Sequence, residues 1–439
     1  MAPRSARATV VEPVLADAVM LGPAASAGGR GRRWLLVMLG PGLMVMLADT
    51  DAGSVITAAQ SGARYGYQLV LTQILLIPVL YLVQEIAARL GVLTGQGHGA
   101  LIRKTFGAKW ALLSAVTLFA ACLGALVTEF AGLAGVGALI GLPRMVSVGL
   151  PAGTLVALVL LGRYRRVEYV GIAIGALELL FIPAALLAHP QASAVVDGLV
   201  HPVQFNGQFM TLLAANVGAV IMPWMVFYQQ EAVIDKGHRD RSVRNVLRAA
   251  RVNTALGAVT TQIVMIAVVV AVAATIGATR PGASLDSIGD IAGALTPFLG
   301  RTNAVVFFGL GMLGAATVAA LVVSLAGAWG IAEVLGWKHS LNDSPRRAAG
   351  FYVLAVTATL AGALLVLLAP NLVNLSLDVE VMNAGLLPIV LGFLLILERR
   401  ALPVEFRMQG LHRLITYVLT GLVIVLGLAI AFQAVTGNI

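Results

Sequence analysis

Charge is what this sequence has least of. Only 11% of its 439 residues are Asp, Glu, Lys or Arg, against about 25% in an average soluble domain, while 59% are hydrophobic. That supply cannot cover a water-exposed surface, which excludes a soluble globular protein and indicates a polytopic membrane protein. Cysteine is almost absent: Cys122 stands alone, which excludes a disulfide within the chain, and its apolar surroundings read as small core filler. No HExxH, no Gly-x-Ser-x-Gly elbow and no pair of inner-leaflet aspartates occurs, and no polar segment is long enough for a nucleotide domain, which argues against an intramembrane enzyme. A cleavable signal is not evident either, because the short apolar stretch at 10–20 is interrupted by Glu12, Pro13 and Asp17.

What remains is apolar sequence in blocks. A span needs about 20 residues to cross roughly 30 Å of hydrocarbon, and about eleven such blocks are expected, at 34–62, 68–93, 110–140, 145–162, 168–188, 208–231, 252–277, 297–334, 348–369, 381–397 and 412–433. Residues 1–33 then form a disordered cytoplasmic tail, and 34–439 a single transmembrane domain. The net charge of +9 sorts by loop parity. Lys and Arg crowd the tail and the loops near 103–109, 163–166, 236–251, 338–347 and 399–413, whereas the alternate loops hold only Arg64, Arg144, Arg280 and Arg301. This is the positive-inside pattern. It predicts an integral protein of the plasma (inner) membrane with the N-terminus cytoplasmic and the C-terminus outside. Its partners would be the lipid bilayer and a transported ion, with no nucleic acid and no obligate protein partner.

Two of the blocks are broken. In the first, Asp49, Asp51 and Gly53 interrupt an apolar run, and a charge at membrane depth is a functional site by default. In the sixth, Gly218-Ala219-Val220-Ile221-Met222-Pro223-Trp224 places a proline where a helix wants a donor. Broken helices in corresponding halves mark a transporter's substrate site. If spans 1–5 and 6–10 are repeats, the odd number five inverts one half against the other. The expected fold is all-α and LeuT-like, a 5+5 inverted repeat with an eleventh helix appended.

The breaks offer hard oxygen: the carboxylates of Asp49 and Asp51, the Ser54 hydroxyl, and carbonyls around Ala48 to Gly53 and near Ala219. Met222 adds a thioether. Together these suit an octahedral cation site, the sulfur favouring Mn²⁺ or Fe²⁺. Met222 alone would read as core packing; beside Pro223 in a break it reads as a ligand. Asp51 has no Lys or Arg in its stretch to pair with, so a ligand role is preferred to a structural ion pair. Asp49 is expected to line the cavity mouth, and Ser54 either to bind the ion or to satisfy its own restarting helix.

The runs Gly40-Pro41-Gly42, Asp51-Ala52-Gly53-Ser54, Gly62-Ala63-Arg64-Tyr65-Gly66-Tyr67, Arg89 to Gly95 and Gly218 to Pro223 resemble the Nramp family of divalent metal transporters across most of spans 1–9. The resemblance implies Asp51, Ser54, Met222 and the carbonyls of Ala48 and Ala219 as metal ligands. It also implies a proton route through Glu129 to Arg346 and Arg347. In the family the first break reads Asp-Pro-Gly-Asn and His follows Met-Pro; here Ala52, Ser54 and Trp224 stand instead, and Leu126 replaces an Asp one turn before Glu129. The loss of a His and an Asp puts proton coupling in doubt. Relatives of the family that carry Mg²⁺ depart at these same positions, and the acids Asp378 and Glu380 in span 10 suit a hydrated Mg²⁺ held through water by Asp49, Asp51 and Glu380. Trp224 and Glu380 are therefore expected to line the cavity.

Elsewhere Glu85 is expected to line the inner vestibule or to pair with Arg89, and Glu231 to sit at the inner end of span 6 as an exit guide or a solvated helix end. Glu178 in span 5 has no partner close in sequence, which leaves a protein-facing functional role and a hydrogen-bonded structural one equally open, and the six histidines show no zinc spacing. The function these features predict is a secondary transporter moving Mn²⁺, Fe²⁺ or Mg²⁺ by alternating access, with no enzymatic activity and no resident cofactor. The alternative is a LeuT-like carrier of a small organic solute.

Overall fold

The computed structural model describes residues 41–161, 164–200, 206–236 and 242–436; the tail at 1–33, Gly40, Arg163, His201, His238, Arg239 and Arg241 lie outside them. All regular elements among the described residues are helical. Span 1 is two helices, α1 (Pro41–Asp49) and α2 (Ala52–Tyr65). Span 2 is α3 (Val70–Thr94), followed by a short α4 (His98–Phe106); span 3 is α5 (Ala108–Leu139) and span 4 is α6 (Arg144–Leu161). Span 5 is α7 (Tyr164–Gly175) and α8 (Phe181–Leu187), separated by a 3-10 turn at Ala176–Leu180. After α9 (Ala192–Val200), span 6 is α10 (Gly207–Val220) and α11 (Pro223–Lys236). Spans 7 to 11 are α12 (Val243–Val272), α13 (Ile288–Leu335, bent at Gly300), α14 (Ala349–Leu368), α15 (Leu372–Ala401) and α16 (Gly410–Thr436). Among the described residues ten stretches are long and apolar enough to cross a bilayer, and the divided α1–α2 is counted as the eleventh span.

The structure moves several expected edges. Span 10 begins at Leu372 rather than 381, where Asn371 accepts from the amides of Val373 and Asn374 and caps the helix. Its two acids lower the local hydropathy, but one of them, Glu380, is buried within the helix rather than lying at its edge. Span 7 starts at Val243, so Arg244, Arg248 and Arg251 ride on a helix and not in a loop. The polar stretch at 189–207 contains α9.

The helices pair as an inverted repeat requires. Span 1 packs on span 7 and span 6 on span 2; span 6 packs on span 10 and span 1 on span 5. Spans 3 and 4 touch as spans 8 and 9 do, and the pairs 2–7, 3–8 and 4–9 contact one another across the halves. Exchanging each span for the one five places later leaves this set of neighbours unchanged. The 5+5 arrangement is thus present in the packing itself, with α16 outside it, against α15.

Close approach of backbones makes the centre possible. A Cβ on Gly62 would collide with the Val269 carbonyl of α12, and one on Gly218 with the Glu380 carbonyl of α15. Polar ties hold the two ends. On the face opposite the basic loops, Asn216 donates to Ser61 at 2.8 Å and accepts from Gln73 at 2.6 Å, joining spans 1, 2 and 6. On the basic face, Glu85 pairs with Arg89 at 3.0 Å and with Arg251 at 2.9 Å, while Arg89 also reaches Glu398 at 3.5 Å and donates to the Phe406 carbonyl. Of the two readings of Glu85, pairing with Arg89 is the one observed. Because the obstacle is backbone and not a mobile side chain, Gly62→Ala should destabilise the protein by about 1–3 kcal/mol, read as a lowered thermal midpoint in detergent.

Candidate metal centre

The two breaks meet. α1 ends at Asp49 and α2 starts at Ala52, and the Asp51 side chain caps the new helix by accepting from the Ser54 amide at 2.6 Å. A capping carboxylate uses one oxygen; the other, Asp51 Oδ2, is buried with no donor. The Ser54 hydroxyl lies 3.0 Å from the Asp49 carbonyl and 2.8 Å from the Ala219 carbonyl. One O–H has a single proton for two acceptors, so three oxygens from two broken helices converge on one point. Ala48 is the residue before Asp49, among the last four carbonyls of α1 that have no helical donor, but the oxygen joined to Ser54 is that of Asp49.

Carboxylates surround this point. Asp49, Asp51, Glu129, Glu178 and Glu380 are all 1% exposed or less. Glu129 on α5 accepts from the Ala52 amide at 3.1 Å and faces Asp51. Glu380 on α15 lies directly over Gly53, where a Cβ would strike Oε1, and its other oxygen accepts from Asn383 at 3.0 Å. Glu178, in the 3-10 turn of span 5, faces Asp49 and Thr50. Asp49 has no donor to either oxygen, and Glu380 Oε1 has none. Among the described residues no Lys, Arg or His forms an ion pair with any of the five. Five buried acids without a basic partner among the described residues must be neutralised, by protons or by a cation.

Helix polarity makes the same demand. α1 and α10 both end here, directing carbonyls and the negative ends of their dipoles inward. Of the positive ends that also begin here, that of α2 is spent locally and that of α11 lacks one donor. The first amides of α2 go to Glu129 and Asp51, and α11 opens on Pro223, which has no amide hydrogen. An organic carboxylate would need those amides free, as in carriers whose half-helix N-termini hold the substrate acid.

Met222 and Trp224 are both fully buried, and the Trp224 indole N–H donates to the Met222 sulfur at 3.0 Å. The thioether is therefore engaged by its own neighbour. Several sequence expectations fall together here: Asp51, Ser54, Ala219, Asp49, Glu129 and Glu380 share one locus, with Met222 and Trp224 at its edge. Arg346 and Arg347 are not brought to it. They are exposed in the turn before α14, whereas Glu129 is buried beside Asp51, and no hydrogen bond or ion pair links them among the described residues. Leu126, one turn from Glu129, is buried so tightly against Gly362 that a Cβ on that glycine would collide with it. Asp378 is exposed and separated from Glu380. Glu178 is the residue the sequence underrated; its only signal was an unpaired acid in mid-span.

Fold and site together define a LeuT-like membrane carrier with an acidic, cation-seeking break. A family model described as natural resistance-associated macrophage protein-like matches residues 42–433, and the chain belongs to the Nramp family. It is 27% identical over 421 residues to the divalent metal cation transporter MntH of Acidiphilium cryptum, covering 92% of this chain and 91% of that one. To the MntH of Chromohalobacter salexigens it is 30% identical over 329 residues, 71% of this chain and 74% of the relative. Its fold is similar to that of the Eremococcus coleocola manganese transporter solved with an aromatic bis-isothiourea substituted compound, at a TM-score of 0.76 and 18% identity, covering 93% of this chain and 88% of that one.

If Glu380 supports the ion, the shape-preserving Glu380→Gln should reduce the thermal stabilisation conferred by a fixed excess of Mn²⁺. Each tenfold loss of affinity removes about 1.4 kcal/mol of it, measured as the difference in melting with and without the metal.

Proposed function

We propose that this chain moves a divalent cation across the membrane by alternating access, binding it between the breaks of spans 1 and 6. The observation that carries the reading is the meeting of Ser54 with the carbonyls of Asp49 and Ala219 amid five buried acids that have no basic partner among the described residues. The names of the MntH relatives and of the manganese transporter agree with it. The ligands are Asp51, Ser54 and the carbonyls of the two breaks, with Asp49 and Glu380 acting directly or through retained water. The basic face is the cytoplasmic one, and the membrane is the plasma (inner) membrane.

Oxygen dominates this site. The Trp224 N–H occupies one lone pair of the Met222 sulfur and weakens it as a donor to a metal, so the sulfur that would favour a soft ion contributes less. Mg²⁺ is then accepted alongside Mn²⁺. No acid relay leads from Glu129 to the basic face, because Leu126 closes the next turn and Arg346 and Arg347 are elsewhere; transport proceeds without proton movement.

Asp51→Asn tests the site while keeping the helix cap, since Asn caps as well as Asp. Uptake of Mn²⁺ into proteoliposomes should fall at least tenfold with the fold intact; unchanged uptake would place the site elsewhere. A pH dye in the wild-type vesicles should show no change of lumenal pH during uptake, and acidification that depends on the metal would reinstate coupling. Trp224→Phe removes the donor and frees the sulfur, and should shift competition between Mn²⁺ and Mg²⁺ severalfold toward Mn²⁺. An unaltered ratio would show that the thioether plays no part.

A further inference from the structure

A second group of metal-binding side chains lies on the basic face, where α11, α13 and the loop after α13 converge. Glu231 near the end of α11, Glu333 near the end of α13 and His339 in the loop bring one ligand atom each to within 4.8 Å of one another. His339 Nε2 is 3.2 Å from Glu231 Oε1 and 3.9 Å from Glu333 Oε1. Ligands about 2.1 Å from a common metal lie about 3–4 Å apart from each other, so these spacings suit a shared ion.

Three features distinguish this group from a chance acidic cluster. Glu231 Oε2 and Glu333 Oε1 are buried and have no donor, in residues 4% and 5% exposed. Both atoms converge on Gly97, the position before α4, where any Cβ would strike them. The second oxygen of Glu333 accepts from the Gly99 amide at 2.9 Å, which fixes the carboxylate with its free oxygen turned into the group. His339 Nδ1 lies 2.7 Å from the Trp337 carbonyl, the arrangement that fixes a metal-bound imidazole by giving its other nitrogen a backbone partner. The neighbours are accounted for. Asp235 is engaged by Ser340 and the Leu341 amide at 2.8 and 3.3 Å, and His98, directed to Gln230, is pushed by burial down to about 4 and is neutral.

From this geometry we infer that Glu231, Glu333 and His339 form a second divalent-cation site at the basic mouth of the protein, selective for transition metals such as Mn²⁺ over Mg²⁺. The selectivity comes from the imidazole. Nitrogen suits borderline metals, whereas Mg²⁺ prefers an all-oxygen, largely hydrated shell. A proton on Nδ1 is directed to the Trp337 carbonyl, which leaves the Nε2 lone pair as the one a metal can use. The hydrogen bond to Glu231 holds the imidazole above its ordinary value, against the opposing effect of burial. A metal at Nε2 would displace any proton held there to solvent. The two sites then differ in kind: oxygen at the centre, nitrogen with oxygen at the mouth.

The test uses the full chain in detergent with Mn²⁺ alone as the probe, in the Asp51→Asn background, so that the central site is silenced. Bound Mn²⁺ is counted by loss of the free-ion electron paramagnetic resonance signal, and pulsed spectra are read for coupling to imidazole nitrogen. One Mn²⁺ with nitrogen coupling is expected. His339→Gln added to that background should abolish the coupling and weaken binding at least tenfold, and Glu333→Gln should weaken binding without removing the coupling. A thousandfold excess of Mg²⁺ should not displace the ion. Mn²⁺ bound without nitrogen coupling, or none bound by a variant that still melts cooperatively, would overturn the site. Should Asp51→Asn collapse the fold, wild-type protein answers by losing one of two bound Mn²⁺ on His339→Gln; an unchanged count would reject the proposal. Because the nitrogen signal belongs to the mouth alone, its failure is distinct from a failure of the central site, which is read from transport.

Discussion

Unwound backbone inside hydrocarbon needs hydrogen-bond partners from within the protein, and the centre of this molecule is built around meeting that need for two broken helices at once. Ser54 is the joint. Its hydroxyl faces a carbonyl from each break, at 3.0 and 2.8 Å, and its amide is capped by Asp51. The same side chain therefore restarts α2, ties span 1 to span 6 and leaves oxygen pointing at the midpoint. Helix packing elsewhere serves this joint. Gly218 lets α15 approach closely enough to bring Glu380 over Gly53, and the Thr261 hydroxyl on α12 takes up the Met46 carbonyl of α1.

The balance of donors and acceptors then decides what can bind. A break in a helix creates a positive and a negative end, and two breaks create two of each. Here the positive end of α2 is met by two carboxylates and that of α11 has one amide fewer because of Pro223, while both negative ends bring carbonyls to Ser54 beside further acids. This makes an anionic substrate unfavourable on physical grounds, independently of relatives. The Trp224 to Met222 bond adds a second filter, since it occupies one lone pair of the sulfur and weakens it as a donor.

Much of this was legible in the sequence because the signals are interruptions of a strong pattern. Asp51, Ser54, Ala219 and Met222 stand out as polar or irregular points in apolar blocks, the parity of the basic loops supports eleven spans, and the spacing of the two breaks predicts the repeat. What was not legible depends on long-range geometry. Hydropathy shortened span 10 because Asp378 and Glu380 lower its mean, although Glu380 is a buried helical residue and only Asp378 faces outward. Glu178 reaches Asp49 only because span 5 turns 3-10 at that point. Trp224 reads in sequence as a lost histidine; that its N–H reaches a sulfur two residues back requires the unwound geometry of the break. Glu231, Glu333 and His339 come from three separate elements, so no local spacing announces them.

The two acidic loci also constrain one another. Met222 and Glu231 belong to the same helix region, nine residues apart, which at 1.5 Å per residue separates the loci by about 13 Å. Two dications at that separation repel by about 5 kcal/mol at an effective dielectric constant of 20, before the acids at each site are counted. Carboxylates at both places offset that cost, and without them an ion at the mouth would oppose release of the one behind it. The end of α11 on the basic face is therefore the place where a carrier of doubly charged ions gains most from acid of its own. A ligand set that differs from the central one lets the mouth hold an ion without competing for it on equal terms.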